Sequence, residues 1–449
     1  MPSIQAEASL AKSLGLWLLL MVGILILGVN GNALDISRQQ LEIFTSLCWL
    51  FMLFLLGKAL PKGIWSICFI YFASFSIFHA GLILADSLGG ITDRDIRYQI
   101  SFWFDTTQTL HAIHLVSLGM LGFALGALIF SSPEVPAQLR HDEENASRRI
   151  YHTGGILLTL SIIIFFAVTG LTGALSSYGT YLELLSQVPL LGVFYAYLYF
   201  FIGAGLVLVS AAYQKKRGYH YFLLFALWAL FAFKLGLRGE VMFPLTVAAC
   251  MLGRKGMTLG TGSLLLFILV FLIVSGVVKN ARISGDYSQV QSINPMNAVA
   301  EMGSSLRPVQ EVIKWHEQGD PLLLGASYWA PIERQIALLV PGMERLNAAQ
   351  DKRLLNVVVQ QRVGPIGFSP VAEAYLNFGR TGVILVLFLL GALLARLDNL
   401  PSSLDRDILL GMALIPLFIM IRNSFTHVPV QMVLGLLIGI LVIFVTRRA

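Results

Sequence analysis

The sequence is poor in charged residues. Asp, Glu, Lys and Arg make up only 12% of its 449 residues, whereas 56% are hydrophobic and the mean hydropathy is +0.76. Because a soluble domain carries roughly 25% charged residues, this composition excludes an ordinary soluble domain and predicts a polytopic membrane protein. The net charge of +6 does not require a nucleic-acid partner, and we expect none, since excess Lys and Arg usually flank membrane helices on the cytoplasmic side.

Cysteine is also scarce, and common catalytic motifs are absent. Cys48, Cys68 and Cys250 lie inside apolar stretches without the spacing of metal ligands, so we expect neither a disulfide framework nor a zinc site. The chain has no Walker A loop, no GxGxxG after a strand, no HExxH and no GxSxG. We therefore expect no cofactor.

Two DxD-like triplets do not change this expectation. Asp93-Arg94-Asp95 falls in a segment predicted to be outside the cell membrane, where metal-dependent sugar transferases sometimes place acids. The same spacing recurs in Asp405-Arg406-Asp407 on the predicted inner side, where it would be useless for that chemistry. The repetition indicates chance, and we expect no metal site.

Apolar stretches of the length needed to cross a bilayer recur along the chain. We predict an all-α protein with about twelve transmembrane helices, near 13–30, 41–60, 64–86, 110–131, 150–171, 190–212, 219–237, 240–253, 262–279, 378–396, 407–422 and 428–446. The eighth is short. If 240–253 does not cross, everything after it changes sides.

The distribution of basic residues supports twelve crossings. With a cytoplasmic N-terminus, the inner segments carry most of the Lys and Arg, whereas the outer segments 31–40 and 172–189 carry one and none. This asymmetry predicts that both termini are cytoplasmic. The inner basic residues are Lys58, Lys62, Arg140, Arg148, Arg149, Lys215, Lys216, Arg217, Arg254, Lys255, Arg396, Arg406, Arg447 and Arg448.

Residues 280–377 form a long mixed-charge segment without a spanning run. They separate predicted helices 1–9, within residues 1–279, from helices 10–12, within residues 378–449. Pro295, Pro308 and Pro331 each stand at a predicted first helical position. We therefore predict an ordered periplasmic loop, or cap, with short helices of its own.

Arginines from separate parts of the chain fall on the predicted outer face: Arg238, Arg282, Arg307, Arg362 and Arg422. Guanidinium groups bind phosphate oxygens in a bidentate fork, so such a set is suited to a diphosphate. Two alternatives remain. Arg238 beside Glu240 is also compatible with a local ion pair, and Arg422 with a residue that extends toward lipid headgroups.

Acid–base and hydrogen-bonding groups accompany these arginines. A carboxylate or an imidazole can take the proton from a sugar hydroxyl that attacks an anomeric carbon, while arginines stabilise the departing diphosphate in place of a metal. The candidate acid–base residues are Glu240, Glu373 and His427, and the candidate sugar-binding residues are Tyr375, Asn377 and Asn423. Glu373 also fits a capping box with Ser369, and His427 fits an ordinary polar residue at a helix end.

The stretches LRGE after a long aromatic-rich helix, KNARISGD, and SPVAEAYLNFG near the end of the long loop resemble Wzy-type O-antigen or oligosaccharide repeat-unit polymerases. The resemblance covers roughly residues 220–430. It implies a membrane glycosyltransferase that joins lipid-diphosphate-linked repeat units on the periplasmic face of the bacterial inner membrane, in lipopolysaccharide or capsule biosynthesis. By the same resemblance, Arg238, Arg282 and Arg422 bind substrate and Glu373 is the acidic residue near the end of the loop.

We therefore predict a metal-independent polysaccharide polymerase. Its partners would be an oligosaccharide linked to polyprenyl (undecaprenyl) diphosphate, membrane lipids and a chain-length regulator protein. Two alternatives stay open: an O-antigen ligase, which uses the lipid A core as acceptor, and a flippase or transporter of lipid-linked oligosaccharides. A transporter usually has two related halves with ions at the midplane, whereas here the charges crowd one predicted face.

Overall fold

The computed structural model describes residues 2–30, 36–132, 143–174, 178–260, 262–263 and 294–448. Within these ranges the protein is helical and contains no β-strand, which confirms the all-α prediction. The α-helices are α1 (Pro2–Asn30), α2 (Arg38–Ala59), α3 (Ile67–Ser87), α4 (Arg94–Phe104), α5 (Thr107–Phe130), α6 (Glu143–Leu171), α7 (Tyr178–Gln187), α8 (Pro189–Ala212), α9 (His220–Lys234), α10 (Arg238–Arg254), α11 (Pro295–Met302), α12 (Leu306–Glu317), α13 (Ala326–Leu339), α14 (Leu355–Arg362), α15 (Pro370–Asp398), α16 (Leu404–Ile419) and α17 (Val428–Arg448).

Eight helices in the described ranges are long and apolar enough to cross a membrane, rather than the twelve predicted. Three predicted spans are shorter helices, namely α9 with 15 residues, α10 with 17 and α16 with 16. Nearly all of the predicted ninth helix, 262–279, lies outside the described residues. The eight spans are Leu10–Val29, Arg38–Ala59, Ile67–Ser87, Thr107–Phe130, Glu144–Leu171, Leu190–Ala212, Pro370–Asp398 and Phe425–Arg448.

The helices group into two compact units. Unit 1 takes the described residues of Met1–Val135, Met296–Leu400 and Met420–Val430. Unit 2 takes those of Pro136–Pro295, Pro401–Ile419 and Gln431–Ala449.

The core of unit 1 is the close packing of α5 on α15, which small residues make possible. A Cβ atom on Gly126 would lie 2.1 Å from the carbonyl oxygen of Phe388, and one on Gly391 would lie 2.2 Å from that of Phe123. Because neither backbone can yield that much space, both positions require glycine. The early helix α5 and the late helix α15 are thereby locked together.

One end of unit 1 gathers the segments that the basic residues place inside. Lys12 donates to the carbonyl oxygen of Ile129 at 3.0 Å, and Lys62 forms an ion pair with Asp398 at 3.2 Å. Asn399 donates to the carbonyl oxygen of Phe130 at 2.8 Å. The start of the first span and the ends of α5 and α15 therefore lie together, in agreement with their predicted common side.

The other end of unit 1 carries the described part of the cap. The backbone amide of Thr92 donates to Asn297 at 3.1 Å, and Gln108 donates to Glu317 at 2.9 Å. The connection from α3 to α5 thus lies against α11 and α12, on the same side. Both segments were predicted to lie outside.

The described part of the cap contains short helices as predicted, although two of the helix starts were predicted wrongly. α11 begins at Pro295 as expected, but α12 already begins at Leu306, and Pro331 lies inside α13 instead of opening it. The predicted boundary at 377/378, between the cap and helices 10–12, lies inside α15. α15 begins at Pro370 and has a non-helical residue at Gly379, with φ 68°, so a short helical segment precedes the predicted span.

Basic residues join the helices at one end of unit 2. Five segments that were predicted to lie inside contact one another there, around residues 147, 213–217, 254–255, 407 and 446. The contacts are Arg217 Nη1 to Ser147 O at 2.9 Å, Lys255 Nζ to Tyr213 O at 3.2 Å, Arg254 Nε to Asp407 Oδ1 at 2.8 Å, and Arg149 Nη1 to Thr446 O at 3.0 Å.

The predicted eighth helix, now α10, forms a hairpin with α9 in unit 2. α9 starts beside the basic end, where the Tyr151 hydroxyl donates to the carbonyl oxygen of Gly218, and it runs away from that end. After the turn at Gly236 (φ 72°), α10 runs back, and Arg254 and Lys255 at its end rejoin the basic end. α10 therefore runs back beside α9, but it is not among the eight helices that qualify as spans, and a full crossing by 240–253 stays a prediction.

Candidate active site

A hydrogen-bonded cluster at the start of α15 contains the best-defined of the predicted site residues. Ser369 caps this helix, and its hydroxyl accepts from the backbone amides of Val371 and Ala372 at 3.1 and 3.4 Å. The same hydroxyl is 2.7 Å from Nε2 of His79 on α3. Ser369 and His79 are both fully buried. The contact between His79 and Ser369, which lie far apart in the sequence, thereby fixes the start of α15.

Among the described residues, the donors to the carboxylate of Glu373, in the first turn of α15, are both neutral. Its side chain is 1% exposed. Oε1 accepts from the hydroxyl of Ser327 at 2.8 Å, and Oε2 accepts from the backbone amide of Phe425 at 2.7 Å. The capping-box alternative is wrong, because this carboxylate reaches α13 and the 420–427 segment instead of returning to Ser369.

Asn377 lies one turn further along α15 and completes the cluster. Its Nδ2 donates to Ser327 Oγ at 2.7 Å and to the carbonyl oxygen of Glu373 at 2.8 Å. Its Oδ1 accepts from the amide of Gly325 at 2.9 Å, where the chain turns with φ 90° into α13. Asn377 therefore fixes the start of α13, and Ser327, on that helix, contacts both predicted residues.

The segment after Met420 brings three more predicted residues to this end of unit 1. The amide of Phe368 donates to the carbonyl oxygen of Arg422 at 2.9 Å. Gly367 has φ 75°, and a Cβ there would lie 2.9 Å from the same oxygen, so the approach requires glycine. Arg422 and Asn423 are half-buried, and His427 is exposed. Glu373 thus anchors the backbone between Arg422 and His427.

Tyr328 borders the cluster, although no sequence pattern pointed to it. Its ring packs edge-on against Phe425 at 5.4 Å and is stacked near Phe378 at 6.3 Å. Burial, and then the charge of Glu373, raise the pKa of Tyr328 well above its usual value, so its hydroxyl stays protonated. Among the described residues, that buried hydroxyl has no hydrogen-bond partner.

Three predicted residues in unit 1 lie outside the cluster. Tyr375 contacts His316, with ring centroids 6.0 Å apart. Arg362 forms an ion pair with Asp320 and lies 4.8 Å from the ring of Trp315.

Arg307 lies on α12, 3.8 Å from Glu311 and 5.0 Å from the ring of Phe102. Arg307 and Arg362 therefore each engage a carboxylate of the cap, and their role in substrate binding stays a prediction.

Arg238 and Glu240 belong to unit 2, where both are half-buried in the first turn of α10. Glu240 lies close enough to Tyr199 on α8 to interact with it electrostatically. Arg282 lies outside the described residues. The predicted convergence of Arg238 and Arg282 with Arg422 stays a prediction.

The DxD-like triplet of the outer segment has a local structural role. Asp93 Oδ1 accepts from the amide of Ile96 at 3.3 Å, at the start of α4. In the part of the chain that the structure describes, no three His, Cys, Asp or Glu side chains lie close enough together to hold a metal ion.

Comparison with known proteins gives the family. The O-antigen polysaccharide polymerase Wzy family matches residues 14–449. Protein CapE of Staphylococcus aureus is 25% identical over 369 residues, which cover 80% of this chain and 79% of that protein. No solved structure matches the chain. The match over nearly the whole length agrees with the resemblance of residues 220–430, and the chain belongs to the O-antigen polysaccharide polymerase Wzy family.

Proposed function

We propose that the protein polymerises polyprenyl-diphosphate-linked oligosaccharide repeat units on the periplasmic face of the inner membrane, with both termini in the cytoplasm. Membership of the Wzy family supports the polymerisation. The observation that carries the site is the hydrogen bond from the Phe425 amide to Glu373, because it fixes the backbone that presents Arg422 and His427. The gathering of basic segments at one end of each unit supports the orientation.

In this proposal Arg422 binds the diphosphate of the donor lipid. The guanidinium group forms two parallel hydrogen bonds with phosphate oxygens and keeps its charge at any physiological pH. As the bond from the anomeric carbon to the diphosphate breaks, negative charge develops on the leaving oxygen, and a fixed cation stabilises it without a metal. Arg238 and Arg282 remain sequence predictions for the same role.

His427 is the acid–base candidate that this geometry favours. The acceptor hydroxyl of a second lipid-linked repeat unit attacks the anomeric carbon, the bond to the diphosphate breaks, and the hydroxyl proton passes to a base. His427 is exposed and lies near Arg422 in the chain, whereas both oxygens of Glu373 already accept hydrogen bonds. We therefore assign Glu373 a positioning role. Glu240 remains a second candidate base from the sequence.

The test is the glycan profile of a strain that lacks the gene and is complemented with single variants. The deletion should leave a single capped repeat, and the wild-type chain should restore long chains. Arg422→Ala should reduce long chains at least 100-fold, the usual scale for loss of one group that stabilises the departing charge. Arg345→Ala, an exposed arginine of the cap, is the matched control.

Two outcomes would contradict the proposal. Normal long chains from Arg422→Ala would remove Arg422 from the site. A deletion strain that makes bare lipid A core, with no single repeat attached, would instead indicate a ligase.

A further inference from the structure

A cavity opens at the end of unit 1 that carries the cap. It has a volume of about 340 Å³ and is formed by the end of α4, the start of α5 and the face of α12. This volume falls within the roughly 300–1,000 Å³ typical of small-ligand sites. Its lining includes Phe102, Trp103, Gln310, Glu311, Lys314 and Glu317, none of which belongs to the cluster around Glu373.

The lining combines aromatic rings with polar groups of both charges. Phe102 leaves 65% of its surface exposed, and the guanidinium of Arg307 lies 5.0 Å from its ring centre, which fixes the ring. Trp103, beside it, is only 4% exposed. A flat apolar ring face suits the CH groups of a pyranose, whereas carboxylates, amides and ammonium groups suit its hydroxyls.

Gln310 provides an independent sign of a ligand. Its side chain is 3% exposed and lines the cavity. Among the residues that the structure describes, nothing donates a hydrogen bond to its Oε1. A buried amide oxygen without a partner costs about 1–3 kcal/mol, so such groups are uncommon unless a ligand or water satisfies them. A sugar hydroxyl is the donor that this surrounding accommodates.

We propose that this cavity is a glycan-binding subsite that holds one sugar of the oligosaccharide repeat unit away from the reacting bond. Phe102 stacks on the sugar, Gln310 accepts from one of its hydroxyls, and Glu311 and Lys314 bind others. The choice of a glycan as ligand rests on the proposed function. Such a subsite aligns the oligosaccharide through contacts remote from the reacting bond.

Binding is tested on the full-length protein purified in nanodiscs. The probe is the oligosaccharide released by mild acid from the surface polysaccharide of the bacterium that encodes the chain, and its affinity is measured by titration with saturation-transfer NMR. Phe102→Ala should weaken binding about tenfold, the scale of a lost ring contact, and Phe102→Trp should restore it. Tyr98→Ala is the matched control, because Tyr98 is an 83% exposed aromatic residue on the same helix α4 that does not line the cavity.

Gln310→Met separates a ligand contact from a structural role. Because Oε1 has no partner in the described chain, this change should leave thermal stability equal or higher while it weakens glycan binding. A variant that unfolds at lower temperature but binds the glycan normally would show that Gln310 serves only the fold.

The inference is overturned if the wild-type protein does not bind the oligosaccharide, or if Phe102→Ala binds it as tightly as Tyr98→Ala does. Its failure is distinct from failure of the proposed function. A deletion strain with normal long chains would reject the polymerase and leave the subsite standing if Phe102→Ala binds weakly. A deletion strain with single repeats would support the polymerase whatever Phe102→Ala does.

Discussion

Two buried carboxylates, Glu373 in unit 1 and Asp407 in unit 2, are each about 1% exposed but have different partners. Asp407 pairs with the fully buried guanidinium of Arg254 at 2.8 Å and also accepts from Ser402. Glu373 accepts from a hydroxyl and a backbone amide, and no salt bridge to it is seen within the described ranges.

The difference makes Asp407 a structural acid and Glu373 a candidate for a functional one. A buried carboxylate charge is costly, and proteins usually pair it with a cation. Asp407 has such a cation, Arg254, at the basic end of unit 2, where the ion pair joins α10 and α16. Glu373 has no such cation in the described part of the chain, and it contacts the segment that carries Arg422 and His427. A carboxylate kept in such surroundings is a candidate for function.

Removal of one partner from the ion pair should have the largest effect. Arg254→Ala leaves Asp407 buried without its cation and should lower the free energy of unfolding of the protein by about 3–5 kcal/mol. Thermal melting of the purified protein measures this. The double variant Arg254→Met with Asp407→Leu should recover most of the loss. If Arg254→Ala melts at the same temperature as the wild-type protein, the ion pair is not needed for stability.

The two serines that donate to these carboxylates give a matched pair of variants. Ser327→Ala removes a hydroxyl from Glu373 and Asn377 together and should cost about 1–3 kcal/mol, with fewer long chains in the complemented strain. Ser402→Ala should cost less, since Asp407 keeps Arg254. Equal losses of stability from the two variants would remove the distinction between the two acids.

A third carboxylate, Asp351 in the cap, extends the comparison to pH and should have the smallest effect. Burial alone would raise its pKa, but the hydrogen bonds and charge of Arg353, with the charge of Arg334, lower it overall. A lowered folded-state pKa contributes stability that is present above the unfolded value, near 3.8, and is lost as pH falls through the folded value.

Melting curves below about pH 4 should therefore show a loss in the wild-type protein that is smaller in Asp351→Asn. The control is Asp105→Asn, because Asp105 is exposed. The same acid-induced loss in Asp351→Asn and the wild-type protein would contradict the assignment.

Much of this fold could be predicted because membrane helices have a strong local signal. Apolar length identified the eight helices that qualify as spans, and the basic residues identified the segments that meet at one end of each unit. Apolar length was misleading for α9, α10 and α16, which were predicted as full spans but are shorter helices. Neighbouring helices bury these short apolar segments, and the sequence alone does not distinguish such burial from contact with lipid.

The candidate site was only partly predictable, for a physical reason. Glu373 could be selected, but its sequence neighbours fit a capping box equally well, and the partner that decides the matter, Ser327, lies on another helix of the cap. Phe102 and Trp103 carried no motif, and only the packing of α4 against α12 makes them part of a cavity.

The most direct measurement compares Glu373→Gln with Glu373→Ala in the complemented deletion strain. A glutamine can still accept from the Phe425 amide through its oxygen and pair its amide group with Ser327, so a positioning residue tolerates it, whereas a base does not. We predict that Glu373→Gln retains long chains within about tenfold of wild type and that Glu373→Ala loses them by at least 100-fold. Equal loss in the two variants, with both proteins folded, would contradict the account and make Glu373 the base.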